Sequence, residues 1–372
     1  MATERNRPDD HLTASTHSRF HLPAEWEPHE ATWLAWPHNR SDWPGKFSPI
    51  PWVFGEIIRR IVPGEKVRLL VNSANDRAQA RQVLKRIGVD SSRIEMLSIP
   101  TNRGWTRDCG PMFVRDRERD GEPTIMHFGF NGWARYPNWR KDNAVPERAA
   151  RALRTPLVRA ELKDGDFVLE GGAIDVNGRG TLLTTEECLL DAKTQVRNPG
   201  LSRDEVESAP QTFLGATNIL WLGKGIAGDD THGHVDDLCR FVGPRTVVLV
   251  GEDDPRDANY RALKENRERL EGMRLEDGSK IEAVPLPMPA PLYLDGQRLP
   301  ASYANFYISN AAVLVPTFND PKDRIALGTL AELFRDRRVI GIHAVDLVWG
   351  LGTIHCLTRE QPLDQWRVTS GK

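Results

Sequence analysis

Ten short apolar runs alternate with only five helical patterns along the chain, and no linker interrupts them. The candidate strands are 67–71, 94–99, 124–128, 167–170, 180–184, 219–222, 246–250, 281–285, 311–315 and 338–342. The candidate helices are 53–61, 75–87, 146–153, 256–270 and 322–334. Simple βαβ winding predicts nearly one helix per strand. Two strands per helix predict an α/β chain built from a unit with several strands per helix. No strict sequence repeat is visible, so such a repeat has to be structural. Asn319-Asp320-Pro321 supplies a cap and a first-turn proline for the last helix. The absence of a Pro/Gly/Ser-rich linker predicts one domain over 19–372, after a polar, disordered lead-in over 1–18.

Charge and cysteine usage narrow the function classes. There are 50 Lys and Arg against 52 Asp and Glu, with no Lys/Arg-rich run, which argues against a nucleic-acid partner. No stretch approaches 18 apolar residues, so no membrane span is expected. The N-terminal stretch lacks the apolar core of a secretory signal. Cys109, Cys188, Cys239 and Cys356 are widely spaced without a CxxC pair. That suits reduced thiols in the cytoplasm. Five of the 11 tryptophans (Trp26, Trp33, Trp36, Trp43 and Trp52) precede residue 53, which points to core or ligand walls.

Four polar, glycine-bearing segments follow apolar runs and suggest a shared site. They are 104–111, 169–172, 228–237 and 350–356. The last ends on Cys356. A lone cysteine is by default a small buried hydrophobe. Here Gly350 and Gly352 permit close approach of backbone to a ligand, and a thiolate is a strong nucleophile near neutral pH. His355, adjacent on a presumed strand, is expected to face away from the thiol's ligand. In Gly233-His234-Val235-Asp236, an extended Val235 sends His234 and Asp236 to one side. Asp108 and Cys109 share a loop, but one strand cannot aim both at one ligand. A turn carboxylate is the plain alternative for Asp108 and for Glu170. Trp105 and Trp133 offer walls for a flat cation, with core packing as the default.

Together these groups suit one chemistry. A guanidinium is planar and cationic, and its resonance makes the central carbon a poor electrophile. Two carboxylates, Asp108 and Asp236, can each accept a forked pair of its N–H groups. Cys356 then attacks the carbon. His234 gives a proton to departing ammonia and takes one from the resolving water, with Glu170 orienting it. The bound cation favours the thiolate, so ionisation of Cys356 is expected to be partly substrate-assisted. A rival reading takes His232, His234 and Asp236 as metal ligands, after the His-x-His-x-Asp-His pattern of metallo-β-lactamase-like hydrolases. In that pattern Asp237 stands where the last His would be.

The chain resembles the agmatine deiminase/bacterial peptidyl-arginine deiminase-like family of the guanidino-group-modifying superfamily. The resemblance runs from Leu22-Pro23-Ala24-Glu25-Trp26-Glu27-Pro28-His29 to His355-Cys356-Leu357-Thr358. Between them lie Trp105-Thr106-Arg107-Asp108-Cys109-Gly110-Pro111, Phe167-Val168-Leu169-Glu170-Gly171-Gly172, the run 181–190, Gly233-His234-Val235-Asp236 and Ala301-Ser302-Tyr303-Ala304-Asn305-Phe306-Tyr307-Ile308. It implies a five-bladed α/β propeller of ββαβ-type units with pseudo-fivefold symmetry. It also implies a covalent amidino-cysteine intermediate and no metal or organic cofactor. The implied reaction converts agmatine to N-carbamoylputrescine and ammonia in polyamine biosynthesis. A homo-oligomer stays open, and so does peptidyl-arginine or another guanidino compound as substrate. The departures bear on that choice. Gly350-Leu351-Gly352-Thr353 replaces a three-glycine run followed by Asn. Asp230, aligned with a substrate-side glutamate four residues before the His, is one methylene shorter, and Asp175 replaces a His.

Overall fold

Val-, Ile- and Leu-rich runs become the central strands, and short partner strands that the periodicity does not disclose complete each sheet. The computed structural model describes residues 18–162 and 165–364. Of the lead-in expected over 1–18, all but Ser18 lies outside the described residues. Thr246–Gly251 pairs antiparallel with Cys239–Phe241 and parallel with Glu282–Pro287, and helix Tyr260–Gly272 makes the parallel crossover. Such a crossover needs a long connection, and an amphipathic helix supplies it while covering the sheet.

The same antiparallel-then-parallel order recurs. Tyr307–Ile308, Ala312–Thr317 and Arg338–His343 follow it with helix Asp323–Leu333. Asp175–Val176, Thr181–Thr185 and Asn218–Leu222 follow it with helix Arg203–Leu214. Met112–Asp116, Glu122–His127 and Leu157–Arg159 do so with helix Val145–Leu153. In the fifth sheet Arg359–Pro362, near the C-terminal end of the described chain, pairs with His29–Ala35, which continues through helix Ile50–Ile61 to Lys66–Leu70 and through helix Ala74–Arg86 to Ile94–Leu97. The fold is mixed α/β, and the several-strands-per-helix unit recurs in structure without recurring in sequence. Among the described residues no helix is long and apolar enough to cross a membrane.

Some expectations need correction. The run 167–170 is not a strand; only Val168 bridges to Gly129, and the Val168 N–H goes to the Asn198 side chain. The helix expected from 256 starts at Tyr260, because Asp254 and Asp257 hold the preceding residues in turns. The helix expected from Lys322 starts at Asp323, so Pro321 precedes its first turn, while Asp320 accepts the Lys322 N–H. Helix Arg203–Leu214 escapes the reading because Pro210 interrupts its pattern. Its Ser202/Glu205 capping box was the available signal. Trp33, Trp36 and Trp43 are core residues, but Trp52 is 42% exposed.

Loops from several sheets meet at a buried carboxylate. Glu25, ahead of the strand His29–Ala35, accepts from Arg107 Nη2 (2.9 Å), Arg240 Nη2 (3.0 Å), His355 Nε2 (2.8 Å) and the Ile308 N–H (2.8 Å). Arg240 also donates to Asp175 (2.9 Å), and Arg107 to Glu360 (2.7 Å). Burial pushes the Glu25 carboxyl up, but Arg240, His355 and Arg107 prevail and hold it well below the usual carboxylate range. A carboxylate depressed in the folded state stabilises above its unfolded value, and that contribution is lost as pH falls through the folded one. Glu25→Gln removes the charge that two buried guanidinium groups share and leaves Arg107 with Glu360 and Arg240 with Asp175. The expected loss is about 3–5 kcal/mol in urea unfolding at neutral pH; a loss under about 1 kcal/mol, the scale of a surface pair, would show that the cluster does not constrain the fold.

Candidate active site

None of the expected site residues lies on a strand; each lies on a one-turn helix, at its N-terminal edge or in an adjoining loop. Asp108 lies on the helical turn Thr106–Cys109, beginning after Trp105. The Gly172 N–H and Trp133 Nε1 both donate to it at 2.9 Å. Glu170 precedes the 3-10 turn Gly171–Ala173. A Cβ on Gly172 would come within 2.5 Å of His234 Nδ1 and 3.0 Å of Asp108 Oδ1, so only glycine fits between those side chains. His234 opens the 3-10 turn Val235–Asp237. Asp229 ties the preceding loop by accepting the Gly233 and His234 N–H groups at 2.7 and 3.0 Å. Cys356 lies on the helical turn Ile354–Leu357.

The structure brings the predicted residues together, by a different local route. His234 Nδ1 lies 3.9 Å from Asp108 Oδ1 and 4.0 Å from Asp236 Oδ1, and its Nε2 lies 3.8 Å from Glu170 Oε2. Cys356 Sγ is 3.7 Å from Asp236 Oδ2. His234 and Asp236 meet through a tight turn instead of an extended Val235. Nor does His355 face away: its Nδ1 is 2.7 Å from Asp236 Oδ2 and its Nε2 bonds Glu25, so it fixes the carboxylate beside the thiol. Cys109 donates to the Trp105 carbonyl (3.1 Å) and stays apart from the Cys356 cavity.

Three further residues join the site. Asn305 Nδ2 donates to Cys356 Sγ (3.2 Å), and its Oδ1 accepts from Thr353 Oγ1 (2.6 Å) and the His355 N–H (3.1 Å). It falls inside the run 301–308, whose polar members among apolar neighbours were the available signal. Arg197 Nε donates to Glu170 (3.1 Å), and no local pattern announced that pair. Cys188 lies close enough to Glu170 and His234 for their ligand atoms to fall within 4.8 Å of one another.

Electrostatics divide these groups by role. Burial raises Asp108 despite His234, with Asp236 and Glu170 adding to the rise. Asp236 is lowered against burial by His355 and His234, and Glu170 is lowered to about 2 against burial by Arg197 and His234. Burial also works against the His234 imidazolium, but Asp108, Cys188 and Glu170 hold its pKa well above the ordinary value. The Cys356 thiol is pushed well up by burial and by Asp236, Asp237 and Asp108. His234 Nδ1 and Nε2, Asp236 Oδ1 and Glu170 Oε2 make no hydrogen bonds within the described protein.

A cavity of about 160 Å³ opens onto Cys356 and Asp108. Trp105, Trp133, Tyr136, Asp230 and Gly352 are among its walls. A Cβ at Gly352 would come within 2.9 Å of the Trp105 ring and 3.2 Å of Cys356 Sγ. Asp230 accepts from Tyr136 Oη (2.6 Å) and pairs with Arg135 (3.1 Å). Asp175 lies outside this cavity, bonded to Arg240 and the Phe241 N–H. The set His232, His234 and Asp236 does not form a metal cage. His232 bonds Asp191 at 2.8 Å, and the ligand-capable groups that converge among the described residues are Glu170/Cys188/His234 and Asp236/Asp237/Cys356. An imidazolium in the first set opposes a cation there.

A family model described as Porphyromonas-type peptidyl-arginine deiminase matches residues 21–362. A Pseudomonas aeruginosa (strain LESB58) agmatine deiminase is 35% identical over 367 residues, covering 92% of this chain and 95% of that protein. The solved agmatine deiminase of Enterococcus faecalis is 30% identical, with a TM-score of 0.82, covering 92% of this chain and 96% of that one. A C. jejuni agmatine deiminase with substrate bound is 29% identical with a TM-score of 0.80, covering 92% and 96%.

The His234 assignment has a spectroscopic test. Glu170→Gln removes one of the negative groups that hold the imidazolium. The His234 ring resonances, followed by NMR against pH, are expected to titrate at least about one unit lower. An unmoved titration would show that Glu170 does not set its charge.

Proposed function

This chain belongs to the Porphyromonas-type peptidyl-arginine deiminase family, and on that premise we propose that it hydrolyses agmatine to N-carbamoylputrescine and ammonia through an amidino adduct on Cys356. The observation that carries the reading is the clustering of a thiol, an imidazolium and two carboxylates, linked by separations of 3.7 to 4.0 Å, beside a small cavity that Cys356 and Asp108 line. Curated agmatine deiminases at 35% identity support the substrate.

Asp108 and Asp236 accept the guanidinium N–H groups, fixing its plane and compensating its charge. The Asp236 Oδ1 lone pairs are free for this, because His355 takes Oδ2. The incoming cation offsets the negative field that keeps the Cys356 thiol protonated, so the thiol gives up its proton to solvent as the substrate enters, His234 being protonated already. The thiolate forms a bond to the guanidinium carbon. His234 then donates its proton as the C–N bond to ammonia breaks, leaving the amidino group on sulfur. Neutral His234 takes a proton from water as it attacks the same carbon; the C–S bond then breaks as the new hydroxyl becomes the carbonyl, and its proton returns to the sulfur, so the urea product leaves with Cys356 again a thiol and His234 again an imidazolium. Asn305 steadies the sulfur through its N–H. Trp105 and Gly352 set the width of the slot, and Asp230 serves the substrate side.

The wider reading follows. The five sheets are the blades of an α/β propeller with ββαβ-type units and pseudo-fivefold symmetry, forming one catalytic domain over 19–372. The enzyme acts in the cytoplasm in polyamine biosynthesis. Arginine in peptides is the second reading, favoured by the family description. The small cavity favours a free guanidine.

Ammonia release from agmatine is expected to exceed that from arginine and from N-blocked arginine amide, and to fall by at least about a thousandfold in Cys356→Ala, the scale on which a lost nucleophile acts. Cys109→Ala is expected to retain turnover. Preference for the blocked arginine would move the substrate to peptides, and undiminished turnover in Cys356→Ala would end the covalent mechanism.

A further inference from the structure

One carboxylate on the cavity wall is not accounted for by the guanidinium chemistry. Asp42 ends the 3-10 turn Arg40–Asp42, and its side chain is 1% exposed. Its Oδ1 accepts from the Arg103 guanidinium and from Asn39 Nδ2 (3.3 Å). Its Oδ2 is buried and makes no well-formed hydrogen bond, and the residue lines the cavity that holds Cys356. A buried carboxylate oxygen that makes no well-formed hydrogen bond is costly, even with the Trp105 side chain close enough to favour the charged form, and a cationic ligand group is a suitable partner for it.

The neighbours reinforce that reading. Arg103 also donates to Asn138 Oδ1 (3.3 Å) and lies 3.7 Å over the Tyr136 ring. Tyr136 in turn donates to Asp230. Arg103 and Tyr136 therefore link two carboxylates on the cavity wall, and the Arg103 guanidinium is engaged within that wall. Burial, with help from Asp142 and Asp230, pushes the Asp42 carboxyl up to about 7 despite Arg103 and the nearby Trp105 side chain. A cation beside it would favour its ionised form.

We propose that Asp42 is a specificity-determining residue whose Oδ2 accepts the terminal ammonium of an ω-aminoalkylguanidine while the guanidinium lies at Cys356. An ammonium is a compact charge with three donors and matches a single buried oxygen. A substrate carrying a carboxylate there, as in arginine or a peptide C-terminus, would meet Asp42 and Asp230 as like charges. The inference rests on the deiminase reading and deepens it.

The test compares agmatine with butylguanidine, which differs only in lacking the ammonium, on wild-type enzyme and on Asp42→Asn. Wild type is expected to prefer agmatine in kcat/KM, and Asp42→Asn to shrink that preference about tenfold or more, mostly through KM for agmatine. Agmatine binding to Cys356→Ala is expected to weaken by a similar factor when Asp42→Asn is added, with the circular dichroism spectrum unchanged. A preference unaltered by Asp42→Asn, or equal loss on both substrates, would overturn the assignment. Wild-type inactivity on both guanidines would overturn the deiminase reading and the inference together.

Discussion

Everything at this site depends on burying carboxylates around a thiol without letting them unfold the protein. Isolated charges are expensive in the interior, so each needs a partner or a proton. The chain supplies partners one by one. Glu25 is held by Arg107, Arg240 and His355, Glu170 by Arg197, and Asp175 by Arg240. Burial, with Asp236 and Asp229, pushes the Asp237 carboxyl well up, toward its protonated form. Asp108 and Asp236 remain, sharing His234 as a cation about 4 Å away. That leaves room for one more positive group, and a guanidinium fits the need.

The repeated sheet makes this arrangement feasible. Residues 25, 108, 170, 236, 305 and 356 are scattered along the chain, yet each lies in or close beside a tight turn. Pairing of Arg359–Pro362 with His29–Ala35 brings the end of the described chain back to its beginning. It thereby sets the Cys356 turn beside the Asp108 turn. His355 links the structural carboxylate Glu25 to Asp236, the carboxylate beside the Cys356 thiol.

The sequence disclosed the candidate reacting groups more readily than their surroundings. Cys356, His234, Asp108 and Asp236 stand in polar, glycine-bearing loops, and their types match one chemistry. Apolar runs likewise marked the central strands. The polar partner strands stayed hidden, because Arg359–Pro362 and Cys239–Phe241 carry buried Gln361 and Arg240 in place of an apolar alternation. His355 was turned the wrong way because a strand period was assumed where one helical turn forms. Arg197 and Asp42 could not be found at all, since their partners lie 27 and 61 residues away and no local pattern encodes such pairings.

The central claim is that Cys356 rests as a thiol and becomes a nucleophile when a cation enters its cavity. The ultraviolet absorbance of its thiolate, taken as the difference between wild type and Cys356→Ser, measures this directly across pH. The free thiol is expected to titrate above the ordinary cysteine value of about 8.5. Guanidinium ion at sub-denaturing concentration is expected to bring it down by about one unit or more. The same titration with and without the cation, or a free thiol already ionised below neutral pH, would contradict the account.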